Sequence, residues 1–109
     1  MIKVFGDIML DIWINGEINR TSPEAPVPVF LENSNSKSIG GAANLALNIH
    51  KINPNVKLFG LLGNDINGSK VIELIKRNNL KYEIKFSKNP TTTKTRFIDE
   101  KSKHFFRWD

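Results

Sequence analysis

One stretch limits the folds open to this chain more than any other. Val56 to Leu62, V-K-L-F-G-L-L, is a nearly continuous apolar run closed by Gly63-Asn64-Asp65. A strand of that composition has no wet face of its own, so it reads as buried on both faces of a parallel sheet. Its parallel neighbour is Ile2 to Phe5, a short β-prone run stopped by Gly6-Asp7. The helix between them opens at Gly40-Gly41, carries Leu45, Leu47 and Ile49, runs roughly to Asn53 and is halted by Pro54. One βαβ crossover is implied, and the fold class is α/β.

A long insertion interrupts that crossover. Leu10 to Ile18 alternates, with Ile12, Ile14 and Ile18 on one side and Trp13 on the other, and Asn15-Gly16 offers a turn or bulge. Sticky on two sides, this strand suits a flap over a ligand or against a second copy, while the pattern leaves open an ordinary buried strand. Thr21 to Pro28, T-S-P-E-A-P-V-P, is stiffened by its prolines and feeds a strand at Val27 to Glu32. Asn33 to Lys37 reads as a polar loop.

After the second core strand, Asn64 or Asp65 caps a helix whose Ile66, Val71, Leu74, Ile75 and Leu80 form a core stripe. Tyr82 to Phe86 alternates like a strand with one wet face, and a threonine-rich strand starts after Asn89-Pro90. Glu100 to Lys103 reads as a hairpin turn. The returning Phe105-Phe106-Arg107-Trp108 carries aromatics on both faces, which groups it with Leu10 to Ile18 in one small sheet.

Composition narrows the classes. The 109 residues make at most one small domain, or a piece of one. Sixteen basic against 11 acidic residues give +5, yet the lysines are scattered, which reads as solvated surface and not as a nucleic-acid stripe. There is no cysteine, hence neither a disulfide framework nor a thiolate metal site. No signal-like or membrane-spanning run is present, so a cytoplasmic protein without a membrane partner is expected.

The polar residues that point to chemistry are Asp7 and Asp11, then Gly40, Gly41 and Asn44, then Lys94 and Arg96. Adjacent glycines running into a helix leave bare backbone N–H groups toward whatever docks there, although an ordinary glycine-opened helix start looks the same in isolation. Carboxylate, amide and backbone donors together match a polyhydroxylated ligand such as a sugar. Lys94 and Arg96 suit a phosphate, while alternate charges on an exposed strand also occur as plain solvated surface. The dinucleotide fingerprint and the Walker-type loop are missing, and His50 and His104 stand far apart without a third ligand.

Taken together, Gly6-Asp7 with Met9-Leu10-Asp11, Ser22-Pro23-Glu24-Ala25-Pro26-Val27-Pro28-Val29, Gly40-Gly41-Ala42-Ala43-Asn44 and Thr93-Lys94-x-Arg96 resemble the N-terminal part of the ribokinase (PfkB) family of sugar kinases. Within it, the proline-rich octet is similar to the D-glycero-β-D-manno-heptose-7-phosphate kinases, including the kinase half of the bifunctional enzymes that make ADP-heptose for the lipopolysaccharide core. The resemblance covers essentially the whole chain. It implies a Rossmann-like α/β/α domain with a small β-sheet lid, often a dimer interface, and ATP-dependent phosphorylation of a sugar hydroxyl.

By that comparison Asp11, Gly40, Gly41 and Asn44 hold sugar hydroxyls, and Lys94, Arg96 and Arg107 lie on lid strands near the substrate's phosphate. The lid strands are expected at Leu10 to Ile18, Val27 to Glu32, Thr93 to Asp99 and His104 to Trp108, on a core at about 2–6 and 40–86. The family's catalytic Asp and nucleotide pocket belong to a Gly-Ala-Gly-Asp element that these residues lack. ATP and Mg2+ are therefore implied only for a complete enzyme, and the chain alone is expected to be inactive because phosphoryl transfer needs that charge stabilisation. The expected partners are a small sugar phosphate, a second copy through the lid, and the missing C-terminal kinase part. The alternative is a non-catalytic sugar-phosphate-binding or lid-dimerising module.

Overall fold

The computed structural model describes residues 1–101 and 103–109, and Ser102 of the expected hairpin turn lies outside them. The elements in chain order are β1 (Ile2–Phe5), β2 (Ile8–Thr21), β3 (Pro28–Gly41), α1 (Ala42–His50), β4 (Val56–Gly63), α2 (Ile66–Arg77), β5 (Lys81–Ser87), β6 (Thr92–Ile98) and β7 (His104–Trp108). They form a three-stranded sheet of order β1-β4-β5 and a four-stranded sheet of order β3-β2-β6-β7. Two compact units result: Met1–Asp11 with Ser38–Thr93, and Ile12–Lys37 with Lys94–Asp109.

The first unit is the α/β crossover. β4 pairs parallel with β1 and with β5, in register Val4↔Leu58 and Leu58↔Tyr82. α1 packs on β1 and β4, and α2 on β4 and β5. Val4, Val56, Leu58 and Leu62 alternate along their strands and are buried together with Ala43, Ala46, Val71, Leu74 and Ile75 of the two helices. The opposite face is open: Phe5 is 69% exposed and Leu61 59%. This corrects the reading of Val56 to Leu62 as buried on both faces. An apolar run reports what a strand can bury, not how many layers cover it.

Asp65 caps α2, as one of the two expected candidates. Its Oδ1 accepts from Gly68 N at 2.7 Å, satisfying a first-turn donor that the helix itself cannot pair. α1 ends at His50, three residues short of Asn53, because Lys51, Ile52 and Asn53 turn back on carbonyls of Leu47 and Ile49.

The second unit consists of strands and their connections, with no helix among its described residues. Two expected breaks are absent from it. Asn15-Gly16 is no turn, since β2 runs unbroken from Ile8 to Thr21. A Cβ on Gly16 would meet the Leu31 carbonyl and sit 2.6 Å from the Phe30 ring, so the glycine serves close approach of β3. Asn33 to Lys37 is no loop but the middle of β3, which runs on to Gly41. β3 is an edge strand, where polar, exposed residues keep their ladder bonds on one side and face water on the other. Over Gly16, Phe30 meets Phe97 edge to face at 5.4 Å, and Phe97 meets Phe106 at 5.7 Å across the antiparallel β6–β7 ladder.

Candidate functional site

In the first unit the site forms where β1 ends, β2 begins and β3 hands over to α1. The backbone carbonyl of Asp7 accepts from Ala42 N at 2.8 Å and pins the start of the helix. Gly41, at φ 63° and ψ −134°, is the N-cap and brings no side chain to the first-turn N–H groups, and no acidic residue stands in that turn. Only glycine adopts this backbone without strain, and a Cβ there would run into the Asp7 carbonyl. Beyond the Ala42 N–H that Asp7 takes, the helix start has no side-chain cap, and the positive end of its dipole favours an acceptor there. Asn44 is the third residue of α1 and is exposed.

Asp11 lies within β2 and is half-buried, so it does not sit at the end of the first strand as Asp7 does. Its carboxylate lies close beside Gly40: a Cβ on that glycine would be 2.5 Å from Asp11 Oδ2 and 2.9 Å from Met9 Cγ. Gly40 is buried and has no room for any side chain. Asp11, Gly40, Gly41 and Asn44 all belong to the first unit, with Asp11 beside Gly40 and with Gly41 and Asn44 at the start of α1.

Beyond the carboxyl ends of β1, β4 and β5 lies a cavity of about 270 Å³, lined among others by Asp7, Gly63, Ser87, Asn89 and Thr91. Its position matches the general rule for ligand crevices in open parallel sheets. One wall is a knot that the sequence reading did not find. Asp65 accepts from Thr91 Oγ1 at 2.6 Å and Thr91 N at 2.8 Å, while Thr91 Oγ1 accepts from Gly63 N at 3.0 Å. The Thr91 side chain first, then the Thr91 and Gly68 amides, hold the Asp65 carboxyl below its ordinary value. Residues 26 apart in sequence leave no local signal of this contact.

Lys94, Arg96 and Arg107 belong to the second unit. Arg96 and Arg107 are direct partners in the β6–β7 register, and the Arg96 guanidinium stacks 4.5 Å from the Trp13 ring centroid. Arg107 grips Asp109 with Nε and Nη2, both at 2.8 Å. That bond, helped by the charges of Arg107, Lys94 and Arg96, lowers the Asp109 carboxyl from its ordinary value. Three cations around one carboxylate form an anion-binding arrangement. Period-two spacing gave Lys94 and Arg96, but the Trp13 and Asp109 partners become visible only once the register is known.

Among the described residues, no group of three or more His, Asp and Glu side chains could hold a metal ion. No described helix is long and apolar enough to cross a membrane.

A profile of the pfkB family carbohydrate kinases matches residues 1–108. The bifunctional protein HldE of Haemophilus influenzae (strain PittEE) is 42% identical over 98 residues, 89% of this chain and 21% of that protein. HldE of Pasteurella multocida matches to the same extent, 42% over 98 residues. The chain thus spans about a fifth of the length of these curated relatives. Among solved structures, a carbohydrate kinase from Agrobacterium tumefaciens superposes with a TM-score of 0.80 at 20% identity, over 98% of this chain and 34% of its own. Phosphofructokinase-2 from Escherichia coli in complex with fructose-6-phosphate gives 0.75 at 17%, over 100% and 35%. Ribokinase from Thermotoga maritima gives 0.75 at 20%, over 98% and 35%. The fold is therefore α/β of the ribokinase kind.

Proposed function

The chain belongs to the pfkB family of carbohydrate kinases, and on that basis we propose that it is the acceptor-binding half of such a kinase, acting on heptose 7-phosphate. The observation that carries this reading is the Asp11 carboxylate lying close beside Gly40, which leads into a helix start with no side-chain cap. In the reading, Asp11 accepts hydrogen bonds from sugar hydroxyls, the Gly40-Gly41 backbone closes on the ring, and Asn44 adds an amide that both donates and accepts. Lys94, Arg96 and Arg107 take the phosphate the substrate already carries, and Asp109 stands where its oxygens would sit. The proline-rich octet Ser22 to Val29, similar to that of heptose-7-phosphate kinases, supports a heptose over other sugars.

These residues bind and orient an acceptor, and none of them is a base poised to activate its hydroxyl. ATP and Mg2+, which the family implies for a complete enzyme, would be held by other parts of the kinase, where the metal would neutralise charge on the transferring phosphoryl group. In this reading the four-stranded sheet is the lid and a contact between two copies, and the protein works in the cytoplasm toward ADP-heptose and lipopolysaccharide core. The test is turnover. The purified chain should not transfer phosphate from ATP to heptose 7-phosphate, and transfer should appear when the C-terminal part of a family kinase is supplied. Robust phosphorylation by the chain alone would contradict the proposal.

A further inference from the structure

One face of the β6–β7 hairpin gathers Lys94, Arg96, Arg107 and Asp109. Arg96 and Arg107 are direct partners in the antiparallel register, and Lys94 and Asp109 lie one pleat further along it, so all four alternate with Thr95 and Trp108. Like charges directly opposite one another across a ladder repel. The Trp13 ring takes up Arg96 by stacking 4.5 Å from its centroid, and Arg107 turns to Asp109 through Nε and Nη2, both at 2.8 Å. A guanidinium recognises a phosphate by the same two-pronged contact. The Arg107 hydrogen bonds first, then the charges of Arg107, Lys94 and Arg96, lower the Asp109 carboxyl from its ordinary value, so it is ionised at neutral pH.

We propose that Asp109 is a resident competitor for the substrate's phosphate, occupying Arg107 until a phosphomonoester displaces it, and so setting both the affinity of the site and its demand for a charged ligand. The proposal rests on Lys94, Arg96 and Arg107 being the phosphate-binding residues, as in the functional reading above. Three arguments carry it. The exchange is balanced, since Oδ1 and Oδ2 leave Nε and Nη2, two phosphate oxygens replace them, and the same donors are satisfied before and after. The incoming group carries about −1.5 to −2 charge at neutral pH against the single charge of Asp109, so the cations favour it, whereas a neutral hydroxyl brings no charge with which to displace a carboxylate. The pair to be broken is exposed, with 42% and 52% of its side chains accessible, and exposed pairs are weak enough to open. The opposite role, in which Asp109 steadies Arg107 for the ligand, fits less well. Lys94 stands opposite Asp109 in the register, so a phosphate in place of the carboxylate meets Lys94 and Arg107 together.

The experiment titrates inorganic phosphate into the 109-residue chain at constant ionic strength and follows the indole N–H of Trp13 by NMR, since Arg96 is stacked on that ring. Asp109→Asn should bind phosphate about 5-fold more tightly than the unsubstituted chain. Glu73→Gln, which removes the same charge from an exposed pair on α2, should leave the affinity unchanged. Weaker binding by Asp109→Asn would make Asp109 a support for Arg107 and overturn the proposal. Equal affinity, or an equal gain in Glu73→Gln, would overturn it too. Titration with heptose 7-phosphate separates the two readings. Phosphate binding that tightens in Asp109→Asn, without any binding of heptose 7-phosphate, would leave the competitor standing and count against the sugar reading. Heptose 7-phosphate binding of equal strength in both chains would do the opposite, and a Trp13 signal that moves in neither chain would overturn both.

Discussion

In the first unit Val56, Leu58, Val71 and Ile75 have no exposed surface, whereas in the second Phe105, Phe106 and Trp108 keep 46%, 56% and 67% of theirs. Every buried hydrophobic side chain among the described residues belongs to the first unit. The second is held by backbone ladders, the Phe30, Phe97 and Phe106 contacts and the Arg96–Trp13 stack. The unit with helices draws its stability from burial, while the other unit leaves much of its aromatic surface exposed.

The largest effect should therefore come from the first core. Leu58→Ala should cost about 2–5 kcal/mol in urea unfolding, since it leaves a cavity beneath both helices. Phe106→Ala, on a half-exposed ring, should cost far less, and equal losses would break the contrast between the units. Next, Gly16→Val should cost about 1–3 kcal/mol by driving a side chain into Phe30 and the Leu31 backbone. Limited proteolysis should then cut the second unit first; initial cleavage in α1 or α2 would argue against separate stability.

The Asp65 knot comes third. Asp65→Ala should cost about 1–2 kcal/mol, through a lost cap and the stranded Thr91 hydroxyl. Because its native pKa is lowered, the contribution of Asp65 is present above the ordinary value of 3.8 and is lost as pH falls below it, through the lowered native value. Acid titration of stability should flatten in Asp65→Asn; an unchanged acid limb would contradict the assignment. The smallest effect is Arg96→Ala, about 0.5–1 kcal/mol from the lost cation–π contact, read alongside a change in Trp13 fluorescence.

How much of this the sequence already held depends on the range of the interaction. The βαβ crossover, the Asp65 cap and the Gly40-Gly41 helix start are local or periodic, and each left a mark in spacing and residue type. The strand through Asn33 to Lys37 left none, because a polar segment on a sheet edge looks like a loop until its partner strand is known. Gly16 misled for the same reason: its meaning lies in Phe30, on another strand. The exposed half of β4 was hidden by composition, which records apolarity but not the missing second layer. In the candidate site, residue types suggested the carboxylate and the glycines, while the contact of Asp11 with Gly40 and the grip of Arg107 on Asp109 exist only in three dimensions.

In the proposed function, Asp11 beside Gly40 holds the sugar acceptor. This role is tested most directly by steady-state kinetics of Asp11→Ala in the kinase completed with a C-terminal part, with heptose 7-phosphate as the varied substrate. The account predicts that kcat/KM for the sugar falls at least 100-fold while KM for ATP stays put, because the lost hydrogen bonds are to the acceptor alone. Unchanged sugar affinity and turnover would contradict it.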